Sequence, residues 1–166
     1  MPYKAVKVDA SERVPDIVVE NAKISLKNFS GNRFNAGGEK NFRLVIEDPE
    51  MADAFTRDGW NVKIKASDDG DTYMYLPVAL GYKNQRLAPK VYMVVDGQRV
   101  ELTEENVDKL DDVFIESANL VIRPGYSVDD VTGKMHIKAW LDTMYAFVGS
   151  RNDPWADRFA SEEKPF

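Results

Sequence analysis

The chain has 166 residues, 43% of them hydrophobic and 30% charged, with a formal net charge of −6 and no cysteine. One globular domain accounts for that length, and the missing cysteine excludes disulfides, thiolate metal sites and cysteine nucleophiles. A single histidine, His136, excludes a histidine-rich zinc site; no apolar run approaches the roughly 18–20 residues of a membrane span, and Met1–Pro2–Tyr3–Lys4 lacks the apolar stretch of a signal peptide, so the expected location is the cytoplasm.

In chain order, residues 17–29 read as a long strand, with Ala22, Ile24 and Leu26 on one face and Lys23, Ser25, Lys27 and Phe29 on the other. A loop rich in Ser, Gly and Asn follows over 30–39, and a strand returns over 40–47 with Phe42, Leu44 and Ile46 alternating. Asp48–Pro49–Glu50 has the cap, the first-position proline and the acid of a helix start, and Asp58–Gly59 predicts its end. Residues 60–66 alternate Trp60, Val62 and Ile64 with Asn61, Lys63 and Lys65, then turn at 67–71. Over 72–80 Met74, Leu76 and Val78 point inward, and Tyr73 and Tyr75 outward. Asp96–Gly97 predicts a hairpin of 90–95 with 98–102. A second short helix is expected from Thr103 to near Asp111, and the last strands over 113–123 and 134–147. Residues 151–166 read as a tail. Several short strands with helices only at connections predict a small barrel or sandwich with insertions.

Charge is unevenly distributed along this chain. Residues 22–43 carry Lys23, Lys27, Arg33, Lys40 and Arg43 against Glu39, whereas 101–116 carry seven acids against Lys109. Because the Debye length is about 8 Å at physiological salt, a ligand feels the local face rather than the net charge. The basic stretch is interleaved with Phe29 and Phe34. Single-stranded nucleic acid needs that mixture: cations for phosphates, and flat rings for bases that a duplex would hide. Lys63 and Lys65 share the outward face of a predicted hairpin with Tyr73 and Tyr75. Lys138 and Trp140 extend the same face. A second role fits these rings equally: Phe29 and Phe42 as core, the tyrosines as a minor core, and the lysines as solvated edge charges.

Catalytic and metal chemistry find no matching pattern, so neither a metal nor a cofactor is expected. Asp68, Asp69, Gly70 and Asp71 lack the alternating ligands and distal Glu of a calcium loop. The run Asn35–Lys40 lacks the spacing and Ser/Thr of a phosphate loop. His136 has no Gly-flanked serine to partner it and is expected to be a surface or packing residue. The chain closes on Glu162–Glu163–Lys164–Pro165–Phe166, and such an end offers a ring and a carboxylate to a basic pocket on a partner protein.

Asn28–Phe29–Ser30–Gly31, then Phe34–Asn35, Gly37 and Asn41–Phe42, resemble the signature region of a group of bacteriophage single-stranded DNA-binding proteins, and Arg57–Asp58–Gly59–Trp60–Asn61–Val62–Lys63 is similar to a second segment of it. The Pro165–Phe166 end resembles the tip of bacterial single-stranded DNA-binding proteins, although Lys164 interrupts the acidic run. The resemblance implies an OB-like barrel acting in phage DNA replication and recombination. The expected protein is therefore mainly β: an OB-like β-barrel over 1–150 with an inserted hairpin and two short helices, and an acidic tail over 151–166. Its expected function is non-catalytic, largely sequence-independent binding of single-stranded DNA. The candidate groove comprises Lys23, Lys27, Phe29, Arg33, Phe34, Lys40, Arg43, Lys63, Lys65, Tyr73 and Tyr75, with Pro165 and Phe166 for replication or recombination proteins. The competing reading is a structural or adaptor β-domain, such as a virion component, that meets protein rather than DNA.

Overall fold

The computed structural model describes residues 3–5, 13–31, 39–66, 68–129 and 131–149. In chain order these form β1 (Tyr3–Ala5), β2 (Ile17–Asn28), β3 (Lys40–Ile46), α1 (Pro49–Asp58), β4 (Lys63–Ala66), β5 (Thr72–Leu80), β6 (Lys90–Val95), β7 (Gln98–Leu102), β8 (Ile115–Asp129) and β9 (Met135–Val148). Short 3-10 helices span Gln85–Leu87 and Val107–Asp112.

Strands β8, β2, β3, β5 and β9 are neighbours in that order, and β8 pairs with β9 to close an OB-like five-stranded barrel. Closure leaves these five strands with few exposed backbone edges. The β6–β7 hairpin is the insertion, joined to β9 in parallel from Lys90↔Thr143 to Val94↔Phe147. Among the described residues β4 pairs only with β5, as an outlying flap.

Alternation fills the barrel. Phe42, Leu44 and Ile46 from β3, Leu76, Val78 and Leu80 from β5, Ala118, Leu120 and Ile122 from β8, and Leu141, Met144 and Ala146 from β9 are all buried. Burying such side chains contributes roughly 1.5–3 kcal/mol each for the larger ones. The Asp48 side chain accepts from the Glu50 N–H at 3.0 Å and starts α1, and Gly59 ends it at φ 104°. Trp60 follows and is buried in the core, bridging in parallel to Ile137. Asp96 and Gly97 both adopt positive φ, as the tight hairpin turn requires.

Local expectations shift in three places. The strand anticipated from residue 60 begins at Lys63, because Trp60 turns into the core. The helix anticipated from Thr103 is a 3-10 helix beginning at Val107; a turn precedes it, in which the Thr103 N–H donates to the Asn106 side chain at 2.6 Å. β2 is interrupted at Asn21 (φ 56°) and Leu26 (φ 45°), with register shifts at Val19/Ala22 and Ser25/Asn28. The second shift inverts the strand's alternation: Leu26 turns out to 47% exposure, and Phe29 turns in.

Candidate nucleic-acid interface

On β3 the inward set Phe42, Leu44 and Ile46 forces Asn41, Arg43 and Val45 outward. On β5 the outward line is Tyr73, Tyr75, Pro77 and Ala79. Register brings these lines together: Val45 opposes Tyr75, Arg43 opposes Pro77, and on the other edge Lys63 and Lys65 oppose Tyr75 and Tyr73. Lys23 on β2 lies opposite Val45.

The Arg43 guanidinium sits 4.0 Å over the centre of the Tyr75 ring, and Tyr73 stacks on Tyr75 at 6.0 Å with 26° between planes. The ring quadrupole attracts the cation. Tyr75 is thereby covered to 5% exposure, while Tyr73 keeps 43%. Tyr73 is the ring a base can reach directly. Lys63 and Lys65 are exposed and make no ion pair among the described residues.

The face continues onto β9, where Ala79 lies beside Trp140. A shallow trough of about 240 Å³ runs between, lined by Asn41, Asn61, Pro77, His136 and Lys138 among others. The Lys138 ammonium lies 4.5 Å from the centre of the Trp140 ring and pairs with the Glu39 carboxylate. Two glycines seat this indole. A Cβ on Gly81 would lie 2.9 Å from the benzo edge, and one on Gly125 would lie 2.4 Å from Nε1, so neither position accepts a side chain without moving the ring. Lys138 and Trp140, expected as an extension of the face, stand beside the rest of it.

Other anticipated residues are engaged elsewhere. Phe29, expected to face bases, is fully buried and stacks on Phe42 at 5.6 Å. The β2 irregularity moved it there, so its ring is core. The Lys27 ammonium donates to the Val113 carbonyl. Lys40 donates to the carbonyls of Phe29 at 3.0 Å and Ser30 at 3.4 Å. Asp111 completes this scaffold by accepting from the Phe29 and Ser30 N–H groups at 2.8 and 2.9 Å. Lys40 therefore ties down the start of the β2–β3 connection, and Lys27 ties the end of β2 to the segment before β8. Lys23 pairs with Glu47 at 3.2 Å in an exposed pair that water and phosphate can replace. Arg33, Phe34, Pro165 and Phe166 lie outside the described residues.

Sequence reading missed Asn41, Asn61 and His136 as trough residues and Arg123 beside Trp140. His136 and Lys138 share a face by simple alternation, which was legible. Arg123 comes to Trp140 only through the β8–β9 register, which no local pattern states. Among the described residues no three His, Asp or Glu side chains gather as metal ligands, and no helix is long and apolar enough to cross a membrane.

The face thus offers an accessible ring, a covered ring under a guanidinium, exposed ammonium groups and an indole along one path. The family described as "Putative phage ssDNA-binding domain" matches residues 7–163. Among solved structures, the single-stranded DNA-binding protein from bacteriophage Enc34 in complex with ssDNA is similar at a TM-score of 0.52 and 14% identity, covering 83% of this chain and 89% of that one. The same phage protein in a second structure gives a TM-score of 0.50 and 14% identity, covering 87% and 89%. At that identity the likeness is one of fold. No curated protein sequence matches the chain.

Proposed function

The chain belongs to the phage ssDNA-binding domain family, and from that premise we propose that it binds single-stranded DNA without catalysis and largely independently of sequence. The observation that carries this reading is the path of Tyr73, Arg43 on Tyr75, Lys63 and Lys65, running on to Lys138 and Trp140 across one face. Bases stack on the exposed Tyr73 ring and the half-buried Trp140 indole while the cations displace counterions from phosphates. Every base has a π-face, so stacking tolerates sequence. A duplex hides those faces, so single strands are preferred. Arg33 and Phe34 belong to the same proposal as additional contacts, and Lys23 joins once it leaves Glu47.

The biological role we propose is protection and presentation of single strands during phage DNA replication and recombination. Residues 153–166 carry Asp153, Asp157, Glu162 and Glu163 against Arg158 and Lys164. This negative segment does not assist phosphate binding; its Pro165–Phe166 end suits a basic pocket on a replication or recombination partner.

The test is a fluorescence-anisotropy titration of a labelled single strand and of its matched duplex. Tighter binding to the single strand, weakening as salt rises, is expected. Equal or tighter binding to duplex, or no retention of either at moderate salt, contradicts the reading and favours a protein-binding β-domain.

A further inference from the structure

Beside the trough lies a larger cleft of about 760 Å³, within the roughly 300–1,000 Å³ range of small-ligand sites. Its walls are the connection after β5, which carries Gly81, Tyr82, Lys83 and Asn84, and the middle of β8 at Arg123. Glu39 lines both cavities, so the cleft adjoins the trough. Trp140 lines the cleft, held between Gly81 and Gly125.

Two polar atoms in these walls lack a match. The Tyr82 hydroxyl and the Arg123 Nε are buried without a hydrogen-bond partner among the described residues. Arg123 is anchored at its other end, where Nη2 donates to the Leu87 carbonyl at 2.8 Å. A buried donor without an acceptor is costly, and a ligand that supplies acceptors relieves that cost. Desolvation, with the Glu104 carboxylate nearby, pushes the Tyr82 hydroxyl up to about 12, so it stays a protonated donor at any working pH. Lys83, at the rim, is exposed.

We propose that this cleft is a nucleotide pocket at the end of the single-strand path. It takes a base of the bound strand against Trp140, offers the Tyr82 hydroxyl and the Arg123 Nε–H to the acceptors of the base edge, and sets Lys83 on the flanking phosphate. Both donor atoms are covered, so the connection carrying Tyr82 shifts as the base enters. The inference rests on the single-strand reading, and it adds a terminal position that a strand fills only once it is long enough to reach past the rest of the path.

The experiment is a ladder of single-stranded oligonucleotides of increasing length, titrated at two salt concentrations against the full chain, Lys83→Ala and Tyr82→Phe. In the wild type, affinity rises with length and then levels off once the pocket is filled. Lys83→Ala is expected to level off at a shorter length. Its longest oligonucleotides bind about three- to tenfold more weakly, with a salt slope shallower by roughly 0.7, and its short ones bind as before. Tyr82→Phe is expected to keep the salt slope and lose affinity for the long oligonucleotides only. If both variants match wild type at every length, or lose affinity equally at every length, the pocket is not on the path and this proposal is overturned while single-strand binding stands. If wild type binds no oligonucleotide of any length, the functional reading itself falls.

Discussion

The Arg43 guanidinium covers the Tyr75 ring at 4.0 Å, and Tyr73 stacks on the same ring from the next outward position of the strand. Arg43 is thus held by an aromatic face rather than by a carboxylate. A cation oriented in this way keeps its charge for an incoming phosphate, and its planar group can itself stack on a base. Arg43→Ala should therefore weaken single-strand binding and make the salt slope shallower by about 0.7. Tyr73→Ala should cost about 1–3 kcal/mol in affinity and leave the slope unchanged. Anisotropy titrations across a salt series separate the two; a slope change with Tyr73→Ala would mean the ring acts by placing a cation.

Phe29 is a stability residue. Its ring is fully buried on Phe42, and Asp111 holds the backbone that follows β2. Phe29→Ala should cost about 3–5 kcal/mol, a large part of the roughly 5–15 kcal/mol that holds a domain together. Phe29→Leu should remain folded and bind single strands as wild type does. Urea melts give the first result and oligonucleotide titration the second. A folded Phe29→Leu protein that loses 1–3 kcal/mol of affinity would return Phe29 to the interface.

The contrast between Phe29 and Tyr73 shows what local pattern can decide. Alternation placed Tyr73, Tyr75, Lys63 and Lys65 on one hairpin face, and the register agrees, because β4 and β5 pair without interruption. The same rule failed for Phe29, because β2 departs from regular geometry at Leu26, a residue that rarely takes positive φ. Nothing in the sequence marks that position. Asp48–Pro49 and Asp96–Gly97 were legible because each carries its own backbone chemistry. The cleft was not, since Arg123 and Tyr82 meet only through the closure of β8 on β9 and the path of a connection. Likewise Lys27 and Lys40 read as phosphate ligands by charge, whereas the fold binds each to backbone carbonyls.

Tyr82 should make stability fall at high pH. In the unfolded chain a tyrosine releases its proton near 10; in the fold this one holds it to about 12. Between those values the unfolded state binds fewer protons than the folded state, so stability decreases as pH rises through the window. Tyr82→Phe removes this contribution. The difference in melting temperature between wild type and Tyr82→Phe should be constant up to pH 10 and then move in favour of the variant. A difference that stays flat to pH 12 would show the hydroxyl to be solvated.

Glu39 should compete with a bound strand for Lys138. Its carboxylate pairs with the ammonium that lies over Trp140, and the pair is partly exposed. On the proposed path, a phosphate reaching Lys138 has to displace Glu39 and pass its negative charge. Exposed pairs are worth up to about 1 kcal/mol, so Glu39→Gln should tighten single-strand binding by as much as about fivefold. The gain should shrink as salt rises and screening replaces the lost repulsion. Weaker binding by Glu39→Gln would mean that the carboxylate positions Lys138 for the strand rather than withholding it.

Trp140 should report the bound strand directly. Trp60 is buried in the core, and Trp155 lies outside the described residues and is removed by Trp155→Phe. In that background the environment-sensitive emission comes from Trp140, which lies beside the trough and lines the cleft with Lys138 nearby. A base stacked on an indole quenches it, so a single-stranded oligonucleotide should lower the emission in a saturable titration. Gly125→Ala supplies the control. Its Cβ would lie 2.4 Å from Trp140 Nε1 and so displace the ring without changing any charge. The variant should show a reduced quench and weaker affinity while keeping the wild-type salt slope, because its phosphate contacts are intact. A full quench with unchanged affinity in Gly125→Ala would place the stacking ring elsewhere.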